Sequence, residues 1–188
     1  MIAARAFLIG LLLGAIDSVV NHVPWWLGEI GLARADRGGW SQAAEFASLI
    51  LDAGWAWAAA AVLAGWLAGD RVSRGAAAGV VALAAATIAY YGSDAVIDGD
   101  GVWQMATRYW LTFSVVAGPL LGAAGALVRR PGWAGTIAGL VVPVGAATQM
   151  VVLPPAADSA MALPVRFTVW IGAALAAVLV ARRHASSG

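Results

Sequence analysis

Long apolar segments separated by short charged breaks constrain this chain more than any other feature. A helix needs about 20 consecutive apolar residues to cross the hydrocarbon core of a bilayer. The 188 residues contain six segments of about that length, at 2–21, 46–68, 75–94, 109–128, 132–153 and 164–181. Little of the chain remains for a soluble domain. We therefore predict an all-α protein, a six-helix transmembrane bundle in which residues 1–188 form a single integral membrane domain.

The composition excludes several other classes of protein. Hydrophobic residues make up 62% of the chain and charged residues 11%, whereas about a quarter of the residues of a soluble domain are charged. Cysteine is absent, so neither a disulfide framework nor thiol chemistry is available. A net charge of +1, with no basic run longer than two residues, gives no reason to expect a nucleic-acid partner.

The N-terminal segment is similar to a secretory signal peptide, since Arg5 precedes an apolar stretch over residues 6–16. A signal peptide would end in a cleavage site with small residues. Here Asp17, Ser18 and Val19 follow the apolar stretch instead. We therefore expect this segment to be retained as the first transmembrane helix.

The arginines predict the orientation of the helices, because basic residues in short loops favour the cytoplasmic side. Seven fall at one set of helix ends and four at the other. The first set is Arg5, Arg71, Arg74, Arg129, Arg130, Arg182 and Arg183, and the second is Arg34, Arg37, Arg108 and Arg166. With an even number of spans, both termini are expected in the cytoplasm of a cell-membrane protein.

The acidic residues collect at the opposite ends of the predicted helices. Only Asp70 lies on the predicted cytoplasmic side. The other nine lie on, or lean toward, the outer side: Asp17, Glu29, Asp36, Glu45, Asp52, Asp94, Asp98, Asp100 and Asp158. This distribution predicts that a functional site, if there is one, opens outward.

Asp17, Asp52 and Glu45 are the strongest site candidates, because acids within membrane spans are rare and usually functional. Glu45 and Asp52 are seven residues apart and share a face of a continuous helix, with Trp55 one turn further in. The alternative is that each acid lies close enough to its helix end to reach interfacial water.

Other predicted ligand-binding residues lie at the same ends of the helices. Tyr90, Tyr91 and Asp94 end the third predicted helix, and Gln149 ends the fifth. Arg108 and Arg166 could pair with the carboxylates or bind an anionic part of a ligand. Contact with lipid headgroups is the alternative for both arginines. Since no H-E-x-x-H, G-x-S-x-G or P-loop motif occurs, we expect neither a metal site nor a cofactor.

Residues 54–91 (GWAWAAAAVLAGWLAGDRVSRGAAAGVVALAAATIAYY) resemble a known group of proteins. A tryptophan-rich helix, a charged break and an Ala/Gly helix that ends in two tyrosines resemble an uncharacterised family of small multi-pass bacterial membrane proteins. That family implies no activity. In layout alone, the chain also resembles the substrate-capture subunits of energy-coupling-factor vitamin transporters, with Gly10 and Gly14 matching the small residues of their first helix.

Three functions follow as hypotheses. The first is a membrane protein whose outward-facing polar and aromatic cavity binds a small molecule, as the capture subunit of a transporter would. The alternative is a membrane enzyme, similar to the integral membrane terpene cyclases, with Asp52, Asp17 or Glu45 as general acid acting on a lipid-soluble prenyl substrate. The third is a packing role with a membrane-protein partner or in a homo-oligomer. In each case the bilayer is the surrounding partner.

Overall fold

The structure, a computed structural model, describes residues 2–185, and all regular secondary structure within them is helical. Seven α-helices follow one another in the described residues, with a 3-10 turn at Arg34–Asp36 between the first two. Their bounds are α1 Ile2–Trp26, α2 Gly39–Leu51, α3 Gly54–Leu67, α4 Val72–Asp98, α5 Met105–Leu127, α6 Trp133–Val152 and α7 Ala162–Ala185.

Five of these helices, α1, α4, α5, α6 and α7, are long and apolar enough to cross a membrane. The pair α2 and α3 reaches that length and hydropathy only when taken together, and the two axes are bent by 58°. The prediction of an all-α protein of long apolar helices is therefore confirmed, with five candidate spans, or six if the bent pair is one span.

The structure divides the predicted second helix, 46–68, at Asp52 and Ala53. The N–H of Asp52 still donates to the Ser48 carbonyl at 2.8 Å, but Ala53 is extended, with φ −66° and ψ 134°. The break leaves the first N–H groups of α3 without helical acceptors. Gln149 of α6 supplies one, because its Oε1 accepts from the Trp55 N–H at 3.0 Å. Asp52 therefore stays in helical register with Glu45 at the end of α2. Trp55 lies beyond the break, so the prediction that it follows one turn further along the same helix is wrong.

The close contacts of glycines give the directions of the helices. Gly10 and Gly14 of α1 lie against Ala82 and Ala86 of α4, so these two helices are parallel. Gly122 faces Gly75 and Gly79 while Gly118 faces Val80, so α5 is antiparallel to α4. The helices α1, α4 and α6 run toward the end of the bundle where Asp17, Asp52, Asp94 and Asp98 lie, which we call the acidic end. The helices α3, α5 and α7 run away from it.

Glycine lets the central helices approach one another until their backbones touch. A Cβ at Gly122 would overlap the backbone of Gly75 and Gly79, and one at Gly65 would overlap the backbone of Gly122. Small residues four apart permit this packing in membrane helices, where apolar side chains gain little by leaving lipid. Gly10 and Gly14, also four residues apart, make the same kind of contact with the backbone of α4.

The α6–α7 hairpin packs differently, through larger side chains. Met150 and Val165 are almost completely buried between the two helices, and Phe46 and Ile50 of α2 pack against them. This cluster attaches the α6–α7 hairpin to the bent α2–α3 pair. The glycine-packed helices α1, α3, α4 and α5 therefore form the centre of the fold, and the candidate site lies among them.

Candidate functional site

Asn21 of α1 connects three elements at the acidic end. Its Nδ2 donates to Asp52 Oδ2 at 3.1 Å and to the Tyr90 hydroxyl oxygen at 3.0 Å, and its Oδ1 accepts from the Ser48 hydroxyl. One side chain thus holds the end of α2, the carboxylate at the break and α4 around α1. Because it uses both its donors and its acceptor, Asn21 fixes the direction in which Asp52 points.

A second group of polar side chains joins α1 to α4 one turn further along. The Ser18 hydroxyl donates to Asp94 Oδ1 at 2.5 Å. His22 lies between two carboxylates, with Nε2 3.2 Å from Asp98 Oδ1 and Nδ1 3.9 Å from Asp94 Oδ1. His22 Nδ1 also lies 2.7 Å from the Ser18 carbonyl oxygen. These contacts lead from the buried Ser18 to the exposed Asp98 at the end of α4.

Asp17 lies beside both groups but makes no hydrogen bond with either. Its side chain is completely buried, at 0% exposure, and neither carboxylate oxygen has a hydrogen-bond partner. Asp52, Trp57 and Asp94 are polar side chains that lie close to it. The Trp57 indole N–H donates to the Leu51 carbonyl at 2.9 Å instead. A buried carboxylate with two acidic neighbours and no hydrogen-bond donor is unusual.

A cavity of about 520 Å³ lies between α3, α4 and α5. Six aromatic rings line it, and its polar groups are few. The rings are those of Trp57, Tyr90, Tyr91, Tyr109, Trp110 and Phe113, and the polar groups besides the tyrosines are Asp52, Thr87 and Ser114. Ligand sites commonly have volumes of about 300–1,000 Å³ and this mixture of apolar walls with a few polar groups.

The cavity is polar at one end and apolar at the other. Asp52, Tyr91 and Tyr109 line it near the acidic end, whereas Leu83, Leu120 and Leu121 line it deeper in the bundle. Seven residues of α5 between positions 109 and 121 line one wall, over about 18 Å of helix. Asp52 is the acid that lines the cavity, and it also accepts the hydrogen bond from Asn21.

The aromatic rings pack against one another around the polar end. The Trp57 ring centroid lies 6.3 Å from that of Tyr90 and 6.4 Å from that of Trp110. Tyr90 and Tyr91 meet edge to face, with centroids 5.0 Å apart. Rings in such contacts hold one another in position.

The wall formed by α5 opens to the side of the bundle. Tyr109 is 63% exposed, Phe113 45% and Leu120 72%, although all three line the cavity. A cavity with exposed apolar walls over this length of helix is accessible from the surface that a bilayer would cover.

Five of the ten predicted ligand-binding residues come together at this site. Asp52, Tyr90 and Tyr91 line the cavity. Asp17 and Asp94 do not line it but lie next to these residues, where α1 meets α4. The other five lie apart from the cavity lining. They are Glu45, Trp55, Arg108, Gln149 and Arg166.

Four of those five residues make contacts that support the fold, and the fifth, Arg108, lies on the surface. Arg34 Nη1 lies 3.3 Å from Glu45 Oε1, so that ion pair ties the 27–38 loop to α2. Trp55 packs against the α6–α7 cluster, and Gln149 caps its backbone. Arg166 stacks over the Trp170 ring at 5.0 Å. Arg108 is exposed near the start of α5.

The loop between α1 and α2 contains one acid with a shifted pKa. The Ser41 hydroxyl and the Gly38 N–H, which donates to Glu29 Oε2 at 2.9 Å, lower the pKa of Glu29 below its ordinary value of 4.5. Hydrogen bonds to a carboxylate favour its charged form. In the same loop, Arg34 Nε lies 3.6 Å from Asp158 Oδ2, which joins it to the α6–α7 connection.

Reasoning from the sequence missed Asn21, Trp57 and Trp110 as site residues. A signal existed for two of them. Asn21 follows Asp17 by four residues and so lies on the same helix face, and Trp57 lies deeper than the interfacial zone where tryptophan is usual. Nothing in the sequence distinguishes Trp110 from the other tryptophans that are expected near the bilayer surface.

Within residues 2–185, no group of three or more His, Asp or Glu side chains is arranged to hold a metal ion. The acids of the cluster instead contact serine, asparagine and histidine.

Comparison with known proteins gives one family. Residues 42–187 match the model of a family of unknown function (DUF6518). The chain belongs to that family. The match covers α2 to α7 and includes Asp52 and all the residues that line the cavity, but not α1 with Asp17, Asn21 and His22. No curated protein and no solved structure matches the chain.

Proposed function

We propose that this protein binds an amphiphilic small molecule with a cationic head in the cavity between α3, α4 and α5. The observation that carries the proposal is a single cavity-lining carboxylate, Asp52, surrounded by aromatic rings at the polar end of an otherwise apolar cavity. A cation is attracted both by a carboxylate and by the faces of Trp and Tyr rings. The tail of the ligand would lie along Leu83 and Leu120.

The proposal includes a membrane topology of six crossings, with α2 and α3 as one bent crossing and both termini in the cytoplasm. The alternating directions of α1, α3, α4, α5, α6 and α7 support it, because each of these helices runs opposite to the one before. The excess of arginine at the ends away from the acidic end supports the orientation. The ligand site would then lie in the outer half of the membrane.

The orientation can be tested with single cysteines, since the chain has none of its own. We expect a membrane-impermeant maleimide to label Gly101→Cys in intact cells and to leave Ser187→Cys unlabelled until the cells are opened. The reverse pattern would contradict the orientation.

The ligand class can be tested with three amphiphiles of the same chain length: octyltrimethylammonium, octyl sulfate and octanol. The measurement is thermal unfolding of the purified protein in lipid nanodiscs. We expect octyltrimethylammonium to raise Tm, because a ligand that binds only the folded state stabilises it by about 2.7 kcal/mol at 100 times its Kd. Octyl sulfate should have no such effect, since Asp52 repels it.

Asp52→Asn should remove at least half of the stabilisation by the cation while preserving the shape of the side chain. Asp98→Asn is the matched control, because Asp98 is an exposed acid at the same end of the bundle that does not line the cavity. Equal stabilisation by octyl sulfate, or equal losses in the two variants, would contradict binding at Asp52.

The two more specific interpretations remain predictions. A capture subunit of a transporter would bind its ligand without changing it. A membrane enzyme would need an acid that touches its substrate, and Asp52 is better situated for that role than Asp17, which does not line the cavity. Product formation from a prenylated substrate that is lost in Asp52→Asn would favour the enzyme.

A further inference from the structure

Asp17 occupies a position that ligand binding alone does not explain. It is completely buried in α1, directly behind the cavity, and both of its carboxylate oxygens are unpartnered. A charged carboxylate taken out of water without donors or a cation costs many kcal/mol, and such a group usually becomes neutral instead. A bound proton is the smallest change that would make this position tolerable.

The surrounding groups also favour a proton over another cation. Asn21, one turn beyond Asp17 on α1, donates to Asp52 at the α2–α3 break and to the Tyr90 hydroxyl of α4. Ser18, the residue after Asp17, donates to Asp94 of α4. On α1 itself, His22 lies one turn beyond and is held between Asp94 and Asp98. Like charges so close disfavour ionisation of all the acids together.

Asp52 links this position to the cavity. Its carboxylate accepts a hydrogen bond from Asn21, one turn from Asp17 on α1, and also lines the cavity. A negative charge on Asp52 makes it harder for Asp17 to ionise, and a cation held against Asp52 would cancel that effect. The two sites would then be coupled through one shared carboxylate, which is the condition for one ligand to change the affinity of another.

We propose that Asp17 is a buried proton-binding site whose occupancy depends on the charge at Asp52, so that a cation entering the cavity drives the proton off Asp17. The proton passes to bulk buffer, and the net charge of the site is unchanged. The proton site stands on the geometry of Asp17, whereas the exchange of cation for proton rests on the proposed function.

Infrared spectroscopy of the unliganded protein in nanodiscs tests the proton site without any ligand. We expect a carbonyl band of a protonated carboxylic acid at neutral pH that disappears in Asp17→Asn. The pH at which half of that band remains should be lower in Asp52→Asn by about one unit or more, because removing a neighbouring negative charge has an effect of this size. Asp98→Asn should leave it unchanged.

Two outcomes would overturn the proton site: no band that depends on Asp17 at neutral pH, or a band whose titration is the same with and without Asp52→Asn. If Asp17→Asn does not fold, Asp17→Ser is the second variant. Labelling of all aspartates with ¹³C in the wild-type protein would show independently whether the band belongs to an aspartic acid.

The exchange is tested at the pH where half of the band remains. Octyltrimethylammonium should lower the band and release protons into an unbuffered medium, and it should do neither in Asp52→Asn. Binding of the cation without proton release would overturn the exchange and leave the proposed function intact. A cation that does not bind would contradict both the proposed function and the exchange, while the proton site would still be decided by the ligand-free titration.

Discussion

The helix α5 packs in two different ways on its two neighbouring faces. One face meets α4 through Gly75, Gly79, Gly118 and Gly122 with no space for a Cβ. The other lines a cavity of about 520 Å³ together with residues of α3 and α4. The two regions overlap along α5, because Ala117 and Leu121 line the cavity next to Gly118 and Gly122.

This difference shows how close helix packing and a cavity can lie side by side in a small membrane protein. Backbone contact between glycines fixes the crossing point of the helices, since packed interiors barely deform. Larger side chains on the neighbouring face of α5, such as Phe113 and Leu120, line the cavity instead.

The largest expected effect comes from one methyl group on the closely packed face of α5. Gly122→Ala should lower the free energy of unfolding by about 1–3 kcal/mol, the usual cost of overpacking, because its Cβ would overlap the backbone of Gly75 and Gly79. Thermal or denaturant unfolding in detergent measures the loss. Gly145→Ala in α6 is the control, since no atom lies near its added Cβ, and it should be neutral or gain up to about 1 kcal/mol. Similar losses in both variants would contradict the difference in packing.

An intermediate effect is expected at the polar end. Asn21→Ala removes three hydrogen bonds and leaves Asp52 without its amide partner. Hydrogen bonds between membrane helices contribute about 0.6 kcal/mol each on average, so a loss of about 1–2 kcal/mol in unfolding free energy is expected.

The same variant should also weaken binding of octyltrimethylammonium, because Asp52 is no longer held in direction. Thr136→Ala is the control. Its hydroxyl bonds only within its own helix, to the Gly132 carbonyl, so it should change stability by less than about 0.5 kcal/mol. A stability of Asn21→Ala equal to that of the control would show that Asn21 does not hold the elements together.

A small effect on stability is expected from a much larger change in the cavity. Ala117→Leu adds three carbon atoms to a side chain that lines the open space. Since those atoms enter a void, we expect the unfolding free energy to change by less than about 0.5 kcal/mol. Stabilisation by the cation should be lost, because the added side chain occupies its place. A destabilisation as large as that of Gly122→Ala would mean that the cavity is closed in the folded protein.

The smallest expected effect lies outside both regions, in the 27–38 loop. The pKa of Glu29 is lower in the folded protein than its ordinary value, so its bond to Gly38 is present above that ordinary value and is lost as pH falls through the lowered pKa. The Gly38 amide chemical shift should follow that titration. In Glu29→Gln the titration should vanish, with little change in Tm. A Gly38 shift that titrates near the ordinary value would contradict the bond.

Much of the fold could be predicted from the sequence, because the length of an apolar segment is a local property. Five of the six predicted spans correspond to single long helices. The break at Asp52 could not be predicted in this way. It depends on Asn21 and Gln149, which satisfy polar groups there and come from helices distant in the chain.

The candidate site was predictable only in part, for a related physical reason. The helices α3 and α4 are apolar nearly all round, so their sequences carry no periodic signal of which face turns inward. The acids could be assigned to one end of the bundle but not to a face. Trp55 and Trp57 show the consequence: two residues apart on α3, one packs against α6 and α7 and the other lines the cavity.

By itself the sequence determined that this is a helical membrane protein with its acids gathered at one end, because bilayer thickness and the cost of buried charge act on each segment separately. Only the tertiary structure decided that Asp52 turns into a cavity while Asp17 is enclosed behind it. That choice depends on which glycines meet, since the crossing of α1, α4 and α5 sets the rotation of every helix and hence the direction of every side chain beyond it.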